Sequence, residues 1–276
     1  MSILRTHELA TPDPVDLLVE VRHGRVELTA TETATTRVRV TGADAPDTRV
    51  VQHEERVEVL APPRRSGFLG DTDLLVQVEL PTGSNAAVRS GSADVEAVGS
   101  LASLQVRTGS GEVRVEELTG AGLIESGSGT VRVERALAEL RVKSGSGDVL
   151  IGRSAAPTTT STGSGDVVVD DLEAPAVVKT GTGDLRIGLA SADVTLTTGS
   201  GDLTVTQARR GRLQCSGASG DVRVGVPEGV AVWTDVTTLT GTIRADAAGT
   251  GAPAEGQDHI ELRATTVSGD IVVARA

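Results

Sequence analysis

The chain has 276 residues and a formal charge of −12, which excludes a nucleic-acid backbone or an anionic membrane as its main partner, since either would repel it. Glycine accounts for 33 residues, whereas the aromatics are Phe68 and Trp233, with no tyrosine. Rings supply much of the buried area in ordinary cores, so a fold that does without them needs a thin interior filled by aliphatics.

The opening, MSILRTHELATPDPVDLLVEV, lacks a basic segment followed by an apolar one, and no apolar run is long enough to span a bilayer. A soluble, cytoplasmic protein with no membrane insertion is expected. The single Cys215 excludes an intrachain disulfide and permits a reducing compartment. Residues 1–14 read as an N-terminal tail. Residues 15–85 read as a β region without a repeat, because VDLLVEV, GRVELTA, TTRVRVT, ERVEVLA and DLLVQVEL alternate apolar and polar positions. These strands are expected to cap the repeats that follow, since an open backbone edge would invite another chain. PPRRSGFLGD at 62–71 is a loop in which Phe68 reads as a local plug, and LPTGS at 80–84 marks entry to the repeats.

Residues 86–276 are repetitive. KSGSGDVLIG (143–152) returns as STGSGDVVVD (161–170), KTGTGDLRIG (179–188) and TTGSGDLTVT (197–206). The second glycine of each copy, Gly111 through Gly201, recurs every 18 residues, and Gly220, Gly241 and Gly269 follow at gaps of 19, 21 and 28. A fixed period of this kind means stacked units. Two residues after each glycine stands an aliphatic (Val113, Val131, Val149, Val167, Leu185, Leu203, Val222, Ile243), and a second follows two later, the mark of a half-buried strand. A second strand centres on Val106, Ile124, Val142, Thr160, Val178, Leu196 and Gln214. The pattern predicts an all-β fold, a single-stack parallel β-solenoid with 18-residue, two-strand rungs and an N-terminal β cap region. Like residues then stack about 4.8 Å apart. An antiparallel meander of hairpins is the rival, and it needs a second layer to cover its apolar face.

The corner glycines Gly109, Gly111, Gly127, Gly129, Gly145, Gly147, Gly163, Gly165, Gly181, Gly183, Gly199 and Gly201 read as structural turn residues, needed for positive φ or for close backbone approach. The hydroxyls before them, Thr108, Ser126, Ser144, Thr162, Thr180, Thr198 and Ser216, can satisfy turn groups and one another. Asp148, Asp166, Asp184, Asp202 and Asp221 form a ladder of like charges that repel unless hydrogen-bonded, screened or bound to cations. Bonds to turn amides are one reading and a cation ladder is another. The spacing differs from the calcium β-roll repeat, and Thr130 and Thr242 interrupt the series. An ice-binding hydroxyl array is a third.

The four histidines, His7, His23, His53 and His259, lie outside the regular repeats and read as surface residues. Cys215 falls on a slot that is otherwise polar, so it reads as exposed, with no base nearby to make it a nucleophile. No catalytic residue and no cofactor are expected. DAAGTGAPAEGQDH (246–259) reads as an inserted loop, and Trp233 as a ring suited to a wider, capped end.

VELPTGSNAAVRSGSADVEAVGSLASLQVRTGSGEVRV (78–115), with the copies after it, resembles the bacterial DUF4097 family of β-strand repeat proteins, many of them labelled adhesins. The resemblance covers roughly 15–276 and implies a repeat architecture with no catalytic residues to carry over. The function expected is that of a non-enzymatic structural or interaction protein, an adhesin-like scaffold presenting a repeated surface to an unknown protein partner, as a monomer or with weak self-association. The alternative is a self-assembling cytoplasmic scaffold of bactofilin type. A β-helix enzyme would instead show a carboxylate cluster beside a cleft, with perturbed pKa values.

Overall fold

A computed structural model describes residues 3–62, 73–246 and 258–276. The chain forms two compact units, Met1–Ala138 and Glu139–Ala276. Both are built from strands, mostly parallel, in two sheets, and the described residues contain no α-helix.

Unit 1 runs in chain order β1 (Ile3–Ala10), β2 (Asp16–Glu20), β3 (Gly24–Thr31), β4 (Thr35–Gly42), a 3-10 turn (Ala45–Asp47), β5 (Arg49–His53), β6 (Arg56–Leu60) and β7 (Leu74–Pro81). It continues through β8 (Asn85–Arg89), β9 (Asp94–Leu101), β10 (Ser103–Thr108), β11 (Val113–Leu118), β12 (Gly122–Ser126) and β13 (Val131–Ala136). One sheet is ordered β1-β4-β7-β3-β9-β11-β13 and the other β5-β6-β2-β8-β10-β12. From β7 and β6 onward the pairings are parallel, with Val113 beside Val131 and Val106 beside Ile124. The meander is thereby excluded here, because hairpins would pair antiparallel.

Two features of unit 1 differ from the sequence expectation. Residues 3–10 are not a tail: β1 pairs antiparallel with β4, and β4 antiparallel with β7. The stack also begins before the LPTGS entry. β2 and β3 already lie parallel to β8 and β9, with Leu17 beside Ala86 and Val26 beside Val95, and β6 and β7 stack on their other side. The segment 16–31 therefore sits between segments that follow it in the chain. The antiparallel strands β1, β4 and β5 end the parallel order.

Unit 2 runs β14 (Leu140–Ser144), β15 (Val149–Ser154), β16 (Thr158–Thr162), β17 (Val167–Leu172), β18 (Ala176–Thr180), β19 (Leu185–Ala190) and β20 (Val194–Ser200). It ends with β21 (Leu203–Ala208), β22 (Gly211–Ser219), β23 (Val222–Val226), β24 (Ala231–Thr238), β25 (Ile243–Ala245), β26 (His259–Thr266) and β27 (Ile271–Arg275). Its sheets are ordered β15-β17-β19-β21-β23-β27-β25 and β14-β16-β18-β20-β22-β26-β24. Val167, Leu185, Leu203, Val222 and Ile271 form one ladder in register, and Val169, Ile187, Val205, Val224 and Val273 a second. All ten are buried, at 2% exposure or less. β-branched and aliphatic side chains fit such a pleated, half-buried surface, and each rung covers its neighbour's apolar area.

Two shifts break the period. Ala190 pairs with Ala208 at 18 residues, but Val194 pairs with Leu213 at 19, so the extra residue lies in the corner between Ala208 and Leu213. That moves Cys215 onto the Leu196 ladder in place of Gln214, and Cys215 is buried, not exposed. Gly217, not Ser216, then pairs with Thr198. The second shift reorders the end: β27 lies between β23 and β25, and β26 between β22 and β24. Ile243, expected in the core, lies on the edge strand β25 and is 46% exposed.

Candidate functional site

The repeated corners carry most of the polar side chains singled out from sequence. At those from Thr108 to Thr198 a strand of one sheet closes on a buried hydroxyl, and the next sheet's strand begins after Gly-Ser-Gly-Asp or a close variant; Ser216 is exposed. Thr108, Ser126, Thr162 and Thr180 accept the amide N–H of the glycine three residues on, at 3.1, 3.1, 3.0 and 2.8 Å. Ser144 Oγ donates to the Gly147 carbonyl at 2.7 Å. These bonds satisfy backbone groups that water cannot reach.

None of the twelve corner glycines has a positive φ. Their requirement is close approach. A Cβ on Gly111, Gly129, Gly165, Gly183 or Gly201 would stand 1.9–2.2 Å from the carbonyl oxygen of the residue below it, and one on Gly109, Gly127, Gly163, Gly181 or Gly199 would stand 2.2–2.7 Å away. Gly145 and Gly147 supply carbonyls to this arrangement, facing Gly163 and Gly165.

The aspartates form a bonded series. Asp148 Oδ1 accepts the Asp166 amide, Asp166 that of Asp184, Asp184 that of Asp202, Asp202 that of Asp221 and Asp221 that of Asp270, at 2.7–2.9 Å. Asp270 in turn accepts from Thr242, through both the amide and the hydroxyl. The series thus traces the reordered stack. Arg186 bridges Asp166 and Asp184 at 2.9 and 2.7 Å, and Arg223 reaches Asp221 and Asp202 at 2.5 and 3.5 Å. The Asp184 amide, aided by Arg186, holds the Asp166 carboxyl below the usual carboxylate range. Among the described residues no three His, Cys, Asp or Glu side chains group as metal ligands would. Each ladder carboxylate spends at least one oxygen on an amide, which is the arrangement a structural role requires.

The remaining candidates are dispersed. His23 Nδ1 lies 2.5 Å from Ser92 Oγ in a half-buried corner of unit 1, and His53 is exposed at the end of β5. Cys215 is buried, and burial pushes its thiol up to about 11. Trp233 does not fill a widened core: it stands outward on the edge strand β24, 51% exposed, with the Arg263 guanidinium 5.5 Å from its ring centre. Phe68 and residues 247–257 of the expected inserted loop lie outside the described residues.

The model of the Toastrack DUF4097 family matches residues 16–274. The chain belongs to that family. Among solved structures, a "putative lipid binding protein" from Parabacteroides distasonis is 11% identical over 98% of this chain and 96% of that one, with a TM-score of 0.46. A "putative adhesin" from Parabacteroides merdae is 11% identical over the same shares, with a TM-score of 0.41. A "putative cell adhesion protein" from Clostridium sporogenes is 10% identical over 100% of this chain and 99% of that one, with a TM-score of 0.25. No curated protein matches the chain.

Sequence reading of this Toastrack chain missed a cleft in unit 1 lined by Glu20, Arg22, Arg49, Leu60, Pro62 and Arg89, among others. Its walls come from segments spread along the chain from Glu20 to Ser90, and no period connects them.

Proposed function

We propose that this Toastrack protein is a non-enzymatic β-solenoid of 18-residue, two-strand rungs, capped at its N-terminal end by the antiparallel strands β1, β4 and β5, and that it presents a repeated outer surface to a protein partner in an adhesin-like role. The observation that carries this reading is the corner chemistry. Aspartates, hydroxyls and many arginines there are bonded to backbone or to one another, so the groups that repeat most regularly hold the chain together. What varies from rung to rung is the outward slots outside that network, such as Leu150, Val168 and Thr204, and variation there suits recognition. Cytoplasmic residence belongs to the same reading. No helix among the described residues is long and apolar enough to cross a membrane.

The test uses the purified chain as bait with glutamate introduced at the outward positions Val168 and Thr204, which carry no ion pair. A partner lost on substitution, with the melting temperature little changed, supports the reading. Turnover of a substrate abolished by one substitution overturns it.

A second reading, self-assembly, is favoured by one observation. The edge strands β24 and β25 and the link between them expose Trp233, Leu239 and Ile243. Light scattering separates the two, since a mass near 28.2 kDa at all concentrations contradicts assembly.

A further inference from the structure

Unit 1 holds a cleft of about 770 Å³ beside the 3-10 turn Ala45–Asp47, within the size range of small-ligand sites. Four of its lining residues form one row across neighbouring strands: Arg49 is paired with Leu60, Leu60 with Glu20 and Glu20 with Arg89. Glu20 takes the Arg89 guanidinium at 2.8 Å, which closes that end of the row. Arg49 is exposed at the other end and makes no ion pair among the described residues. Between the two charges lies an aliphatic floor of Leu60, Ala61 and Pro62 over the buried Val21.

We infer that this cleft binds a small aliphatic monocarboxylate, with its head on Arg49 and its chain along Leu60 and Pro62. A guanidinium presents a planar fork that matches a carboxylate. The lining sets Arg22, Arg49 and Arg89 against Glu20 and Asp47, a surplus of one positive charge that suits a single carboxylate, and the described lining has no aromatic ring on which a base or sugar would stack. The inference goes beyond the protein-binding reading and does not depend on it.

Octanoate is the probe, titrated calorimetrically into the full chain. The expected result is saturable binding, weakened about tenfold or more in Arg49→Glu, in line with loss of a charge-assisted bond. Arg56→Gln, a nearby outward arginine that pairs with Glu58, is expected to bind as the wild type does. Octylammonium and inorganic phosphate are expected not to compete. The inference is overturned if octanoate does not bind, if Arg49→Glu binds it unchanged while keeping the wild-type melting temperature, or if octylammonium competes equally. Arg49→Gln serves as the second variant should Arg49→Glu melt early.

Discussion

Residues 140–201 and 203–276 of unit 2 share one corner chemistry and differ in how faithfully they repeat it. In the first stretch every partner lies 18 residues away, the hydroxyls of Ser144, Thr162 and Thr180 bond the glycine three residues on, and the aspartate ladder climbs in chain order. In the second the offset becomes 19, and the rung of residues 259–275 slips between 211–226 and 231–245. The aspartate series survives the slip, running from Asp221 to Asp270 and then to Thr242. The lesson is that stacking is set by local bonds between neighbouring rungs, and that chain order is free to change wherever a connection is long enough to permit it.

The sharpest way to break this comparison is at the glycines. A Cβ on Gly183 would stand 2.0 Å from the Gly165 carbonyl oxygen and 2.6 Å from its carbon, a backbone that cannot give way as a side chain would. Gly183→Ala is therefore expected to cost about 3 kcal/mol, measured by denaturant unfolding. Gly229 has φ +81°, but a Cβ there would meet nothing within 4 Å, so Gly229→Ala is expected to cost about 1 kcal/mol, from conformation alone.

Next come the hydroxyls. Thr180 Oγ1 holds the Gly183 amide at 2.8 Å, and Thr180→Val is expected to lose about 1–3 kcal/mol by leaving that amide unsatisfied. Thr198 holds the corresponding position where the period fails. Its Oγ1 is buried without a partner, because the Gly201 amide donates to the Ser219 carbonyl instead. Thr198→Val is expected to be neutral or stabilising by the same measurement.

Cys215 reports the shifted register. It sits at 5% exposure beside Leu196, with its thiol pushed up, so a thiol reagent at neutral pH is expected to react at the rate of global unfolding. Rapid reaction in the native state would return Gln214 to the core slot and refute the 19-residue offset.

The smallest effect is acid sensitivity. The Asp166 carboxyl is held low by the Asp184 amide and by Arg186. A depressed carboxyl contributes stability above its unfolded value, about 3.9, and that contribution is lost as the pH falls through the folded value. The stability difference between the wild type and Asp166→Asn is expected to shrink below about pH 4, read from melting temperatures across the titration.

Much of this architecture is legible in the amino-acid sequence. Period-two alternation locates β2, β3, β4, β6 and β7, and the 18-residue spacing marks both strands of each regular rung, because like residues must stack on like in a parallel ladder. β1 is not legible, since ILRTHELA alternates weakly and gains its place only by pairing with β4. The place of the extra residue is hidden because the gap between Gly201 and Gly220 counts it without locating it; the signal available is Arg209-Arg210-Gly211, a turn-like stretch with Gly211 at φ +107°. The inserted order of the last rung depends on which loop passes outside which, and periodicity carries no such information. Of the candidate site, the aspartate–amide bonding is among the readings the sequence allows. The unit 1 cleft is not, because its row Arg49–Leu60–Glu20–Arg89 comes from four separate strands.

The most direct test of the central claim is a disulfide trap. In a Cys215→Ala background, Arg223→Cys is combined either with Val272→Cys or with Arg244→Cys. Arg223 and Val272 are direct parallel partners, whereas Arg244 lies one strand further on, beside Val272. Rapid oxidation of the 223–272 pair, with no crosslink in the 223–244 pair, is the predicted result. A crosslink between 223 and 244 under the same conditions would put the rungs back in chain order and contradict the account.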